Sequence, residues 1–230
     1  MVADGDLDGA ELAALARPSR GAAAGRPYII AADGGAARCL GAGVRPDVVV
    51  GDLDSLGPVE QARLRELGVE LRVADRDKDE SDTELCLLTA RAAGASRVTV
   101  LGALGVVRPE HAIANLLLLA DPRLDEMEVA VVGRGSRIMR TGTAEGASRL
   151  ELGGTAGDLV SLFPLGSAVE GVTTEGLRFP LHDETLTLGP SRGLSNEMLA
   201  EQAQVRTRRG RLLVVHTRVS AEAEAREEPR

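Results

Sequence analysis

Apolar and polar positions keep one rhythm up to about Gly133 and another beyond it. In the first stretch, short aliphatic runs alternate with longer segments of helical spacing. The clearest run is Val48-Val49-Val50, bounded by Asp47 and Gly51. It has the length and β-branching of a strand buried inside a sheet. Further strands are expected at residues 1–3, 28–32, 70–73, 98–101 and 128–132. Helices are expected between them. Asp8 and Glu11 stand at capping-box spacing for a helix to Leu15, and Ser81 with Glu84 for one reaching about Ala93, with Gly94 as its stop. A short helix should follow residues 33–37, another fills 58–67 before Gly68, and a third spans about 112–119. Residues 17–25, rich in Gly, Pro and Ala, read as a loop. Strands alternating with helices at this spacing predict an α/β half: a doubly wound, mostly parallel sheet whose ligands lie beyond the strands' carboxyl ends.

From Ser136 onward the helical period is gone. Short alternating runs at 150–152, 159–163, 169–173, 185–188, 205–208 and 212–216 predict an all-β, sandwich-like domain, with Arg209-Gly210 as a hairpin turn. The expected layout is therefore an α/β domain at 1–133, a β domain at 134–220 and a frayed tail at 221–230, with no internal repeat.

Composition narrows the function classes. Hydrophobic residues make up 43% of the chain but aromatics only 1%, so the core must be aliphatic. A net charge of -8 and a pI near 5.1 argue against nucleic acid or an anionic membrane as partner. An anionic substrate would then need local cations or a metal. No apolar run is long enough to span a bilayer, and the acidic first residues do not resemble a secretory leader. Cys39 and Cys86 lack metal-type spacing, which fits free thiols in a reducing cytoplasm. Lys78 is the only lysine among 27 basic residues, a pointer to a place needing a compact ammonium.

The candidate chemistry starts at the end of the valine run. Gly51-Asp52-Leu53-Asp54-Ser55 places two carboxylates two residues apart. In extended backbone both would face one crevice with Leu53 toward the core. Two close like charges call for a cation between them, and Mg²⁺ takes carboxylate oxygens together with water and substrate phosphate. An isolated D-x-D is more often a solvated turn. Here Asp82 adds a third acid, in the first turn of the helix opened by Ser81, beside Lys78. A helix N-terminus offers unpaired N–H groups to phosphate. Asp33-Gly34-Gly35, at the end of the second expected strand, is a second place where backbone can approach phosphate or ribose, or simply a tight turn. Arg108 and His111 could meet phosphate or base, although either alone is commonly a surface residue. No G-x-x-x-x-G-K-[ST] loop is present.

Taken in order, these motifs resemble the thiamine pyrophosphokinase (thiamine diphosphokinase) family. The resemblance rests on A-D-G-G-A at 32–36, P-D-V-V-V-G-D-L-D-S at 46–55, K-D-E-S-D at 78–82 and R-P-E-H-A-I-A-N at 108–115. It continues with G-D-L-V-S-L-F-P-L at 157–165, G-V-T-T-E-G-L-R-F-P-L at 171–181 and G-L-S-N at 193–196. It implies an ATP- and Mg²⁺-dependent enzyme that moves a pyrophosphoryl group to the hydroxyl of thiamine and releases AMP. It also implies a cytoplasmic homodimer with its active site near the subunit boundary. Asp52, Asp54 and Asp82 would hold Mg²⁺ and, with Glu110, serve catalysis. Lys78, Asp79, Ser81, Arg108, His111 and Asn115 would face ATP, with Asp33, Gly34 and Gly35 on the nucleotide side. Ser195 and Asn196 would face thiamine.

Three departures stand out. Where the family shows G-G-R-x-D-H, this chain has Gly105-Val106-Val107-Arg108-Pro109-Glu110-His111, one residue longer and with Glu110 for the aspartate. Ser81 replaces a threonine, and the first strand is short. The alternatives are a pyrophosphokinase for another hydroxymethyl heterocycle, such as a pterin, or a nucleotide- or thiamine-binding homologue weakened at the altered 106–110 loop. A structural α/β protein with an incidental acidic rim is the plainest alternative.

Overall fold

The structure, a computed structural model, describes residues 1–5, 7, 9–16, 26–105 and 108–219. Asp8 of the first capping pair, Val106 and Val107 of the altered loop, and the 221–230 tail lie outside the described residues. The chain falls into two compact units, residues 1–118 with 131–133, and 119–130 with 134 onward. Residues 119–130 thus pack with the second unit, although they precede the change of rhythm at Gly133.

The first unit begins with α1 (Gly9–Leu15), β1 (Ile30–Ala32) and α2 (Gly35–Gly41). It continues through β2 (Val48–Gly51), α3 (Pro58–Glu66), β3 (Glu70–Val73), α4 (Asp82–Ala92), β4 (Arg97–Leu101) and α5 (Pro109–Leu117). β1, β2 and β3 pair in parallel, with β2 in the middle. Val2 bridges Ala31 of β1 and Leu101 of β4, both in parallel, so the first residues run as a short strand between them. All four β2 residues are buried, as a β-branched run inside a parallel sheet should be. Val2, Ala31, Val49, Leu53, Leu64 and Leu101 share one aliphatic core.

Helix starts follow their local chemistry. The Ser81 hydroxyl accepts a hydrogen bond from the Glu84 N–H at 3.2 Å, the expected cap of α4. α5 starts at Pro109 rather than at about 112, because proline at the first helical position has no N–H to lose and the right φ. Within α3, Leu64 is the one buried residue.

β5 (Glu128–Gly133) gives its first three residues to the second unit and its last three to the first. The second unit is antiparallel throughout its pairings: β6 (Ser136–Thr141), β7 (Ser148–Gly153), β8 (Leu159–Glu175), β9 (Glu184–Thr187), β10 (Asn196–Glu197), β11 (Gln202–Thr207) and β12 (Arg209–Thr217). The path runs β6-β12-β8-β11-β7, with β9 and β10 also on β8.

Two expectations change here. Residues 159–163 and 169–173 are one 17-residue strand, not two. Its early residues pair with β12 and its later ones with β9 and β11, and Gly166 at φ +119 lets it turn without ending. Arg209-Gly210 is not a hairpin turn but the start of β12, where Gly210 (φ +96) sits at a bulge between Arg209 and Arg211. β6 escaped the sequence reading because Ile138 and Met139 are both buried in succession, which breaks the period-2 signal.

Candidate active site

Three chain segments of the first unit meet at the carboxyl end of β2. β2 stops at Gly51 (φ +151), where an added Cβ would lie 2.9 Å from the Asp33 Cβ and 3.2 Å from the Asp82 Cγ. Only glycine lets the end of β1, the end of β2 and the start of α4 approach this closely. Asp33 follows β1 with φ +25, and its N–H donates to the Val50 carbonyl at 3.0 Å.

Asp52 and Asp54 converge for a reason other than strand alternation. β2 has already ended, and Leu53 is left-handed at φ +62 and buried. That reversal anchors Leu53 in the core while the Asp54 N–H donates to Asp52 Oδ1 at 3.1 Å. The two acids therefore crown a tight turn instead of sharing a strand face. Ser55 completes it: its N–H donates to Asp33 Oδ2 at 3.2 Å, and its hydroxyl to Asp54 Oδ1 at 3.3 Å.

The result is a carboxylate cluster. One ligand oxygen each from Asp33, Asp52 and Asp54 lie within 4.8 Å of one another. Asp33 is only 5% exposed, and its Oδ1 has no hydrogen-bond partner among the described residues. A buried carboxylate oxygen left bare is costly, and a hard cation among three carboxylates is the partner that would satisfy it. Burial raises the Asp33 pKa; the Ser55 hydrogen bonds oppose this, and nearby Asp82 and Asp52 add to the rise.

Asp82, expected as the third ligand, stands at the first position of α4 and pairs with Lys78 at 2.9 Å. Asp33 takes the third place in the cluster. Burial pulls the Lys78 pKa down, but Asp82, Asp52 and Asp33 outweigh it and the net shift is upward. The only lysine therefore stays charged beside the acids. Asp54 also has a cation: Arg76 lies 2.7 Å from its Oδ2 and holds its carboxyl below the usual range. Arg76 had no motif to mark it; only its place two residues before Lys78 could have drawn notice.

The remaining expected residues are placed as follows. Gly34 and Gly35 serve close packing, because added Cβ atoms would strike Asp4 at 2.4 Å and the Val2 carbonyl oxygen at 2.3 Å. Gly34 has an ordinary helical φ of -56, so a special dihedral is not its reason. Asp79 is exposed in the turn before α4, next to the Ser81 cap. Arg108 donates to Glu110 at 2.8 Å, and His111 lies 3.9 Å from the same carboxylate, all three exposed at the start of α5. Asn115 donates to the Ala103 carbonyl at 3.1 Å, fastening α5 to the segment after β4.

Ser195 and Asn196 belong to the second unit. The Asn196 side chain is buried on backbone, accepting from the Phe179 and Glu197 N–H groups at 3.0 Å and donating to the Phe179 carbonyl at 2.7 Å. Ser195 is left-handed at φ +56 and donates its N–H to the Ser161 hydroxyl at 3.0 Å.

The thiols are not part of this chemistry. Burial pushes the Cys39 thiol to about 11 and the Cys86 thiol to about 12, so both stay protonated. No helix among the described residues is long and apolar enough to cross a membrane.

Comparison with known proteins agrees on one family. A profile described as "Thiamin pyrophosphokinase, catalytic domain" matches residues 22–131, and one described as "Thiamin pyrophosphokinase, vitamin B1 binding domain" matches 149–212. A thiamine pyrophosphokinase of Bacillus subtilis is 23% identical over 188 residues, covering 82% of this chain and 86% of its own. Thiamine pyrophosphokinase 1 of rice is 27% identical over 168 residues, 70% of this chain and 62% of its own. The crystal structure of a thiamine pyrophosphokinase from Bacillus subtilis superposes with a TM-score of 0.76 at 22% identity, covering 95% of this chain and 98% of its own. With profiles matching both units in order and the fold shared end to end, the chain belongs to the thiamin pyrophosphokinase family.

Proposed function

We propose that this chain is a transferase moving a pyrophosphoryl group from ATP to the hydroxyl of thiamine, giving thiamine diphosphate and AMP. The observation that carries the reading is the meeting of Asp33, Asp52 and Asp54 oxygens within 4.8 Å beside Lys78. Family membership supplies the substrates: ATP as co-substrate and thiamine as acceptor.

Charge neutralisation and in-line positioning are the main physical requirements of such a transfer. The donor set fits Mg²⁺ because it is all oxygen, anionic and includes a buried oxygen without a partner. When bound, Mg²⁺ would neutralise and orient the polyphosphate. Asp33, Asp52 and Asp54 would hold it, with Asp82 within reach through its contact with the Gly51 turn. Lys78 would bring a fixed ammonium to the phosphates. One carboxylate of the group would take or orient the proton of the thiamine hydroxyl. Arg108, His111 and Asp79 fall to the ATP side, Ser195 and the segment around Asn196 to the thiamine side. The same reading has helices on both faces of the parallel sheet, a cytoplasmic setting and a homodimer.

The test is AMP release by purified protein with ATP, Mg²⁺ and thiamine. Thiamine-dependent AMP is expected, and Asp54→Asn should lower turnover at least about 100-fold with circular dichroism unchanged. AMP formation driven by a pterin instead would move the assignment to another acceptor. Binding of ATP and thiamine without any turnover would point to a degenerate homologue.

A further inference from the structure

Arg76 lies in the turn between β3 and α4, with its side chain 75% exposed. Its guanidinium reaches back over the acidic turn, 2.7 Å from Asp54 Oδ2 and 3.8 Å from Asp52 Oδ2. The other cation of the site is held differently, since the Lys78 side chain is only 15% exposed and pairs with Asp82 from within. Asp54 is also one of the three residues whose oxygens come within 4.8 Å of one another, alongside the buried Oδ1 of Asp33, which has no hydrogen-bond partner among the described residues. The oxygen set best suited to a divalent cation thus already has a positive group on its outer member.

We propose that Arg76 is a tethered counter-ion that competes with the divalent cation for Asp54 and so opposes loading of the site with metal alone. This rests on the reading of the cluster as a metal site. A divalent ion among Asp33, Asp52 and Asp54 and a guanidinium on Asp54 would stand a few ångströms apart and repel, so each weakens the other's hold. Arg76 is the one able to go: its stem lies in water, and an exposed ion pair holds weakly. A polyphosphate arriving with the metal offers the released guanidinium a new bidentate partner. Metal with nucleotide is then favoured over metal by itself.

The test is Mn²⁺ binding without nucleotide, read from the free-ion electron paramagnetic resonance signal, for wild type, Arg76→Gln and Arg76→Lys. Arg76→Gln should bind Mn²⁺ about three- to tenfold more tightly, whereas Arg76→Lys, which keeps the charge, should stay near wild type. An Arg76→Gln affinity equal to or weaker than wild type overturns the proposal, as does Arg76→Lys matching Arg76→Gln. No Mn²⁺ binding by either protein at millimolar metal overturns it too. Arg76→Met serves the same comparison if Arg76→Gln folds poorly. The AMP assay is independent: wild type that shows this Mn²⁺ behaviour yet makes no thiamine-dependent AMP loses the proposed reaction and keeps the role of Arg76.

Discussion

Asp33 is the residue on which the site's electrostatics turn. Burial raises its pKa, the Ser55 hydrogen bonds oppose that, and Asp82 and Asp52 push it further up. A raised acid pKa means that the folded chain binds this proton more tightly than the unfolded one. Its contribution is therefore favourable below the ordinary carboxylate range and is lost as pH rises through the raised value. At neutral pH and without metal, ionised Asp33 opposes folding. Asp33→Asn should then stabilise the metal-free protein by about 1 kcal/mol at pH 7.5, with the gain shrinking in acid. Mg²⁺ is expected to raise the melting temperature of wild type, and the same variant should lose that rise. Thermal melts with and without Mg²⁺ at two pH values check both; an Asp33→Asn variant still stabilised by Mg²⁺ like wild type would remove Asp33 from the site. Asp52 and Asp54 stood out in the sequence as candidate ligands only together with Asp82 and Lys78. Asp33 was legible only as a residue near nucleotide, because the turn that aims it inward depends on Gly51, 18 residues on.

At the level of elements, the site is a product of where strands stop. The valine run, the Ser81 cap and the glycine after α4 are local signals, and all appear where the sequence places them. The turn at Leu53 does not follow from local preference, since a left-handed leucine is disfavoured on its own. It is held by burial of the side chain and by the Asp54 N–H on Asp52. The two glycines after Asp33 make a related point. An added Cβ at Gly35 meets the Val2 backbone oxygen, which the sheet holds fixed, whereas at Gly34 it meets the end of an exposed Asp4 side chain. Gly35→Ala should therefore cost about 1–3 kcal/mol, and Gly34→Ala distinctly less, in urea denaturation. Equal losses would mean that the fit against the first strand is not what these positions need.

For the whole molecule, stability comes from aliphatic packing, with an aliphatic core in each unit among the described residues. The second unit carries a buried polar anchor as well. Asp158, 1% exposed, accepts from the Thr155 N–H at 3.0 Å, the Thr155 hydroxyl at 3.1 Å and the Val219 N–H at 3.2 Å, and lies 2.9 Å from His216 Nε2. Burial works to raise its pKa, but these hydrogen bonds outweigh it and the carboxyl is lowered. A lowered acid pKa stabilises the fold above the ordinary value near about 3.9, and that stability is lost as pH falls toward the folded value. Asp158→Asn should cost about 1–3 kcal/mol at pH 7 and flatten the loss of stability below about pH 4. An acid-unfolding curve parallel to wild type would show that Asp158 does not set it.

By itself the sequence determined the order of strands and helices in the α/β half, the change from α/β to β, and the family, because periodicity, caps and ordered motifs are properties of neighbouring residues. The tertiary structure alone decided that β8 is one strand, that Asp33 joins Asp52 and Asp54, and that Arg76 lies on Asp54. Those are contacts across 20 or so residues or more, fixed by strand pairing and by the space a glycine leaves, which no local pattern encodes.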